Sequence, residues 1–141
     1  MAPPDFEKHR LRTFAKKLAD MGELETLDQP VELPALSGLI EASDKAQVFR
    51  AVGPERYEMI GGVLGNRRRL AAAFGVTEKE LLPLFAKRAH SPQAPIEVPS
   101  SHAPVHQVIM QGDDIDLTKL PFHLQHELDG APYISSAVDF T

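Results

Sequence analysis

The sequence predicts an α/β (α+β) fold, a small mixed sheet with flanking helices, and three observations carry that expectation. Apolar residues recur at helical spacing near the amino end, two β-rich runs follow each other across a four-residue turn, and two helix-start signals lie between residues 66 and 80. A length of 141 residues suits one compact domain with an extension. Apolar residues at 43% and charged residues at 25% are ordinary globular usage, so the chain is expected to fold.

In residues 10–21, Leu11, Phe14, Ala15 and Leu18 fall at the i, i+3, i+4, i+7 spacing that lines one helix face, and Gly22 follows as a C-cap. Residues 23–31 alternate weakly and suit an edge strand at best. Pro30 and Pro34 punctuate the chain before a short helix at 35–42. The runs AQVFRAV (46–52) and YEMIGGV (57–63) read as two strands joined by Gly53-Pro54-Glu55-Arg56. Asn66 is positioned to cap a helix over 67–74 that Gly75 ends. Thr77 and Glu80 form a capping-box pair for the next helix, with Leu81, Leu82, Leu84 and Phe85 apolar and Pro83 expected to kink or shorten it.

Residues 91–104 hold four prolines, which fix φ and remove backbone donors, so an extended connector and a domain boundary are expected there. Beyond it, 105–110 reads as a strand, 111–114 as a turn and 116–120 as one helical turn capped by Asp116. Residues 133–141 (YISSAVDFT) have strand composition and run to the last residue without a turn. A strand left there has open edge groups, so the sequence is expected to continue in the natural protein or to pair with another chain.

The absence of cysteine excludes a disulfide framework and thiolate zinc sites. No stretch approaches the roughly 20 apolar residues of a bilayer span, and a cytoplasmic protein without membrane partners is expected. A net charge of -5 argues against nucleic acid as a partner.

Four groups of residues bear on chemistry. His123, His126 and Asp129 form H-x-x-H-x-x-D, a donor set suited to zinc, manganese or iron, but Pro121, Gly130 and Pro132 oppose the regular helix that would align them, and a hydrogen-bonded loop is favoured. Arg67, Arg68 and Arg69 occupy a helix start, where the macrodipole disfavours cations. Either an anionic ligand compensates or, as favoured, nearby carboxylates such as Glu78 and Glu80 pair with a solvated face. Gly61, Gly62 and Gly65 lack the order of a dinucleotide loop and the Walker lysine, so tight chain reversal explains them better. Asp113, Asp114 and Asp116 lack EF-hand spacing and suit turns and caps. No serine or histidine occupies a nucleophile-elbow setting, and no carboxylate pair is arranged as acid and base.

Three blocks together resemble the amino-terminal region of the UbiD family of decarboxylases. LRTFAKKLADMGELETLDQPVE is similar to the family's first helix, "G-E-L" and extended segment, and GGVLGNRRRLAAAFGV to its "G-[SN]-R-x-R-x-A-x-A-L-G" element. GDDIDLTKLPFHLQHELDGAPYISSAV is similar to "G-D-[DE]-[VI]-D-L-x-x-L-P" followed by "H-x-x-D-[GA]-G-P-Y-I-[TS]", with Ala131 where the family often has a second glycine. The order and separations agree over nearly the whole chain.

The resemblance implies an α/β accessory domain at 1–104, including the connector 91–104, and the first strands of a truncated split β-barrel flavin-binding domain at 105–141. It implies non-oxidative, reversible decarboxylation of an aromatic, heteroaromatic or α,β-unsaturated carboxylic acid with prenylated FMN, a divalent metal (Mn or Mg) and K as a further ion. The cofactor carries the carbanion chemistry, and the protein binds, orients and transfers a proton. No residue here matches the family's metal ligands or its Glu-Arg-Glu catalytic set, so the isolated chain is expected to be inactive and to retain no cofactor. Ser135 and Ser136 alone overlap a cofactor-proximal position, near the flavin phosphate. The implied partners are the catalytic remainder, a UbiX-type flavin prenyltransferase, the acid substrate and further copies in a homo-oligomer. Two alternatives stand beside this: a free-standing interaction subunit pairing through its last strand with a catalytic chain, and a nucleic-acid binder using Arg67 to Arg69.

Overall fold

A computed structural model of the chain describes residues 7, 10–92, 94–120, 122 and 128–131. Its first helix, α1, spans Leu11–Asp20 and buries Leu18 completely. Gly22 ends it at φ +72°, a left-handed conformation that costs glycine no Cβ clash. The Gly22 N–H donates to the Ala19 carbonyl (2.9 Å) and the Glu23 N–H to the Leu18 carbonyl (2.8 Å), the paired bonds of a Schellman motif. That turn delivers the chain directly into strand β1, Leu24–Leu27.

Strand β1 pairs in parallel with β2, Ala46–Val52, and β2 pairs antiparallel with β3, Tyr57–Gly61, giving the order β1-β2-β3. Parallel neighbours need a crossover. Here it is a 3-10 turn at Leu33–Ala35 followed by helix α2, Leu36–Glu41. Val31, Leu36, Phe49 and Val52 form the buried cluster on this side, with Leu27, Leu33, Leu39, Ile40 and Met59 packed around it.

Phe49 and Val52 are both fully buried although three residues apart, which regular alternation forbids. Phe49 faces Met59 and Val52 faces Tyr57, so β2 carries one residue more than β3 between those pairs. This bulge resets the alternation, returns Val52 to the core and leaves Arg50 on the opposite face. β3 ends at Gly61, earlier than the run to residue 63, because Gly62 turns to φ +67°.

Helix α3 spans Arg67–Phe74, with the Asn66 side chain accepting from the Arg69 N–H (2.8 Å) and Gly75 closing it at φ +69°. Helix α4 spans Glu78–Ala89 and begins with the expected capping box. Pro83 does not shorten α4. Its ring removes one intrahelical donor on an exposed side, where water can serve the freed carbonyl, while buried Leu81 and an edge-on contact of Phe85 with Phe74 (4.7 Å between centroids) hold the flanking turns. Lys17 donates to the Ala72 carbonyl (2.5 Å), tying α1 to the last turn of α3.

The strand expected at 105–110 is not formed. Pro104–Gln107 is a 3-10 turn, and Val105, Val108, Ile109 and Met110 are 64–77% exposed. A strand needs a neighbour for its backbone groups, and the described residues offer none beside this run. The capped turn does form at Leu117–Lys119, where Asp116 accepts from the Thr118 N–H (3.0 Å) and hydroxyl (2.6 Å). The Tyr57 hydroxyl donates to the Lys119 carbonyl, joining that turn to the start of β3. The strand expected at 133–141 lies outside the described residues. Among the described residues, no helix is long and apolar enough to cross a membrane.

Candidate functional site

Arg67 and Arg68 are exposed, as expected of a solvated face, but Arg69 is not, and the carboxylate that pairs with Arg68 and Arg69 is neither Glu78 nor Glu80. Arg69 is 3% exposed and donates through Nη1 to Glu23 Oε2 (3.1 Å) and to the Asp44 carbonyl (2.6 Å). Arg68 reaches Glu23 Oε1 at 2.9 Å, and Asn66 Nδ2 lies 3.5 Å from Oε2. Glu80 is engaged in its own capping box with Thr77. The compensating anion expected at this helix start is thus Glu23, placed there by the Schellman turn after α1. No local pattern announces it, because the two partners stand 46 residues apart in sequence.

Gly65 belongs to the same arrangement. A Cβ on it would lie 2.7 Å from Arg69 Nη2 and 3.2 Å from the Gly62 carbonyl oxygen, so close approach requires the glycine. Burial pushes the Glu23 carboxyl up, but hydrogen bonds from Asn66 and Arg69 and the charges of Arg68 and Arg69 outweigh it and hold Glu23 below its ordinary range. Glu25 is held low by hydrogen bonds from Ser43 (2.6 Å) and Gln47 (2.7 Å). Glu58 is held low by Arg50 and Arg12.

These depressed values set a pH dependence. A carboxyl whose folded pKa lies below its unfolded value of about 4.3 contributes stability that is present above that pH and lost as pH falls through the folded value. Melting temperature is therefore expected to hold between about pH 5 and 7 and to fall progressively below about pH 4, followed by circular dichroism. A melting temperature rising on acidification through that window contradicts the three ion-paired and hydrogen-bonded carboxylates.

A second feature lies on the sheet face opposite the Phe49 core. Helix α1 crosses this face incompletely and leaves a cavity of about 650 Å³. Its apolar lining includes Leu11, Ala15, Leu24, Val48 and Ile60. Its charged lining is Arg10, Arg12, Lys16 and Arg50 with Glu58. Arg12 Nη1 meets Glu58 Oε1 at 2.9 Å, and Arg50 meets the other carboxylate oxygen. Arg10 pairs with Glu7 at 3.1 Å. Periodicity had marked Leu11 and Ala15 as a helix face, but nothing in the sequence showed that the face is only partly covered.

Among the described residues, no three His, Asp or Glu side chains converge on a common metal position. Asp113 and Asp114 lie in a 3-10 turn, and Asp116 serves as a cap. Of the H-x-x-H-x-x-D set only Asp129 is described; His123 and His126 lie outside the described residues, as do Ser135 and Ser136.

The fold is a mixed α/β domain with a three-stranded sheet and flanking helices, and its likeness to known proteins is extensive. Residues 15–89 match the 3-octaprenyl-4-hydroxybenzoate carboxy-lyase N-terminal domain, and residues 96–141 match the 3-octaprenyl-4-hydroxybenzoate carboxy-lyase Rift-related domain. The chain belongs to the UbiD family. It is 33% identical over 134 residues to anhydromevalonate phosphate decarboxylase of Methanosarcina mazei, covering 90% of this chain and 29% of that one. It also superposes, with a TM-score of 0.80 and 28% identity, on an evolved dimeric form of the UbiD-class enzyme HmfF from Pelotomaculum thermopropionicum in complex with prFMN. That match covers 89% of this chain and 30% of the HmfF chain, so the sequence spans under a third of either relative.

The described residues do not fit a flavin phosphate. The α3 start, where a phosphate would be favoured, already holds the Glu23 carboxylate. The Nε of Arg69 is buried without a hydrogen-bond partner, but a single N–H on a guanidinium already engaged by Glu23 is no phosphate cradle.

Proposed function

We propose that this chain is the amino-terminal, accessory part of a prenylated-FMN-dependent decarboxylase. The reaction is the non-oxidative, reversible loss of carbon dioxide from an aromatic, heteroaromatic or α,β-unsaturated acid. The observation that carries this is the pair of family matches in their order along one chain, residues 15–89 then 96–141, over a fold that superposes on a UbiD-class enzyme. The exposed apolar side chains from Ile96 to Leu120 support it, because a surface that apolar is suited to burial against further protein.

In this proposal residues 1–104 form the accessory domain, 105–141 belong to the split β-barrel, and the hydroxyls of Ser135 and Ser136 approach the flavin phosphate. The catalytic remainder supplies the acid, the base and the ligands for Mn or Mg and for K. A UbiX-type prenyltransferase supplies the flavin in the cytoplasm, and the complete enzyme is a homo-oligomer.

The test is co-expression of the 141-residue chain with a UbiX-type prenyltransferase, beside the same chain fused to the catalytic remainder of HmfF. The fusion is expected to purify with flavin absorbance and to release carbon dioxide from an unsaturated acid, and the chain alone to do neither. Stoichiometric flavin and decarboxylation in the chain alone overturn the proposal.

A further inference from the structure

We infer that the cavity between α1 and the sheet is a binding site for an apolar monocarboxylate, either an aryl or a medium-chain alkyl acid. The floor comes from Leu24 of β1, Val48 of β2 and Ile60 of β3, with Leu11 and Ala15 of α1 as one wall. Leu11 is 51% exposed and Val48 and Ile60 are half-buried, so the apolar surface remains open to a guest. About 650 Å³ lies in the usual range of small-molecule pockets.

The charge at the rim selects the sign of that guest. Arg12 and Arg50 share the single carboxylate of Glu58, one on each oxygen, and Lys16 lies on the same rim. Glu58 is the sole acid among the described lining residues, so three cations face one anion after Arg10 is assigned to Glu7. A second carboxylate completes the pairing of the two guanidiniums, whose planar donor forks suit bidentate contact. Its apolar body removes the floor from water at about 25 cal/mol per Å². An inorganic anion lacks that second gain, and a neutral apolar molecule lacks the first. The arrangement lies away from the α3 start, and it stands whether or not the chain contributes to a flavin enzyme.

The test uses 2-naphthoate as an aryl probe and octanoate as an alkyl competitor, with 2-naphthamide and sulfate as controls. The chain has no tryptophan, so naphthoate fluorescence is read without tryptophan overlap. Saturable one-to-one binding below about 1 mM is expected, with the amide and sulfate at least about tenfold weaker. Displacement by octanoate assigns the site to both acid types, and its failure restricts the site to aryl acids. Arg50→Gln is expected to weaken binding at least about tenfold, and Lys87→Gln, remote on α4, to leave it unchanged. Glu58→Gln frees both guanidiniums and is expected to tighten binding, a gain that misfolding cannot produce. No saturable binding, equal affinity for the amide, or tightening absent in Glu58→Gln overturns the inference.

Discussion

Replacing Phe49 with alanine is expected to remove about 3–5 kcal/mol of folding stability. Phe49 is fully buried in the centre of β2, between Val31, Leu36 and Val52, and deleting its ring removes transfer energy and leaves a cavity. A domain of this size has only about 5–15 kcal/mol in reserve, so this one change consumes a large part of it. Urea unfolding followed by far-ultraviolet circular dichroism measures the loss as a lower midpoint. Phe49→Leu is expected to cost far less, because most of the volume remains. An unchanged midpoint for the alanine variant contradicts the core described here.

Arg69→Ala is expected to lower the melting temperature by at least about 10 °C, since it breaks a buried ion pair with Glu23 and a buried hydrogen bond to the Asp44 carbonyl together and empties the space of the side chain. Among the described residues, the guanidinium is the one group linking Glu23, at the end of the α1 turn, to both the Asp44 carbonyl just before β2 and α3 itself. Its removal frees the Asp44 carbonyl and leaves Glu23 tied to the α3 start by Arg68 and Asn66 alone among the described residues. Arg67→Ala, on an exposed neighbour, is the control and is expected to shift melting by no more than about 2 °C. A similar response to both substitutions contradicts a structural role specific to Arg69.

Much of the fold was legible because its signals are local. Asn66 and Gly75 bracket α3 with a side-chain cap and a left-handed stop, and each is recognisable within a few residues. Thr77 with Glu80, and Asp116 with its one turn, are equally short-range. What escaped is whatever depends on distant neighbours. Residues 105–110 have the composition of a strand, but composition cannot supply a hydrogen-bonded partner. Pro83 breaks a helix in isolation, yet Leu81 and Phe85 anchor the turns around it. Arg69 looked like surface because a run of charges is usually wet, and only the Gly22 turn reveals that Glu23 arrives beneath it.

The same distinction governs the site. The apolar side of α1 was readable from spacing, whereas the sharing of Glu58 by Arg12 and Arg50 requires the sheet to be assembled first. Ser135 and Ser136 rest on family likeness, and no spacing rule selects those two hydroxyls over others.

The additional residue in β2 also limits what changes the hairpin can absorb. Removing Ala51 would erase the bulge and leave Phe49 and Val52 two positions apart, the spacing at which regular alternation points both the same way. A deletion before Phe49, such as that of Val48, has no bulge to absorb it and would turn Ala46 and Gln47 to the opposite faces. Length variation is therefore better tolerated at the bulge and in the Gly53–Arg56 reversal than in the regular part of the strand, and an indel-scanning library read by soluble yield should show a sharp trough across residues 46–49.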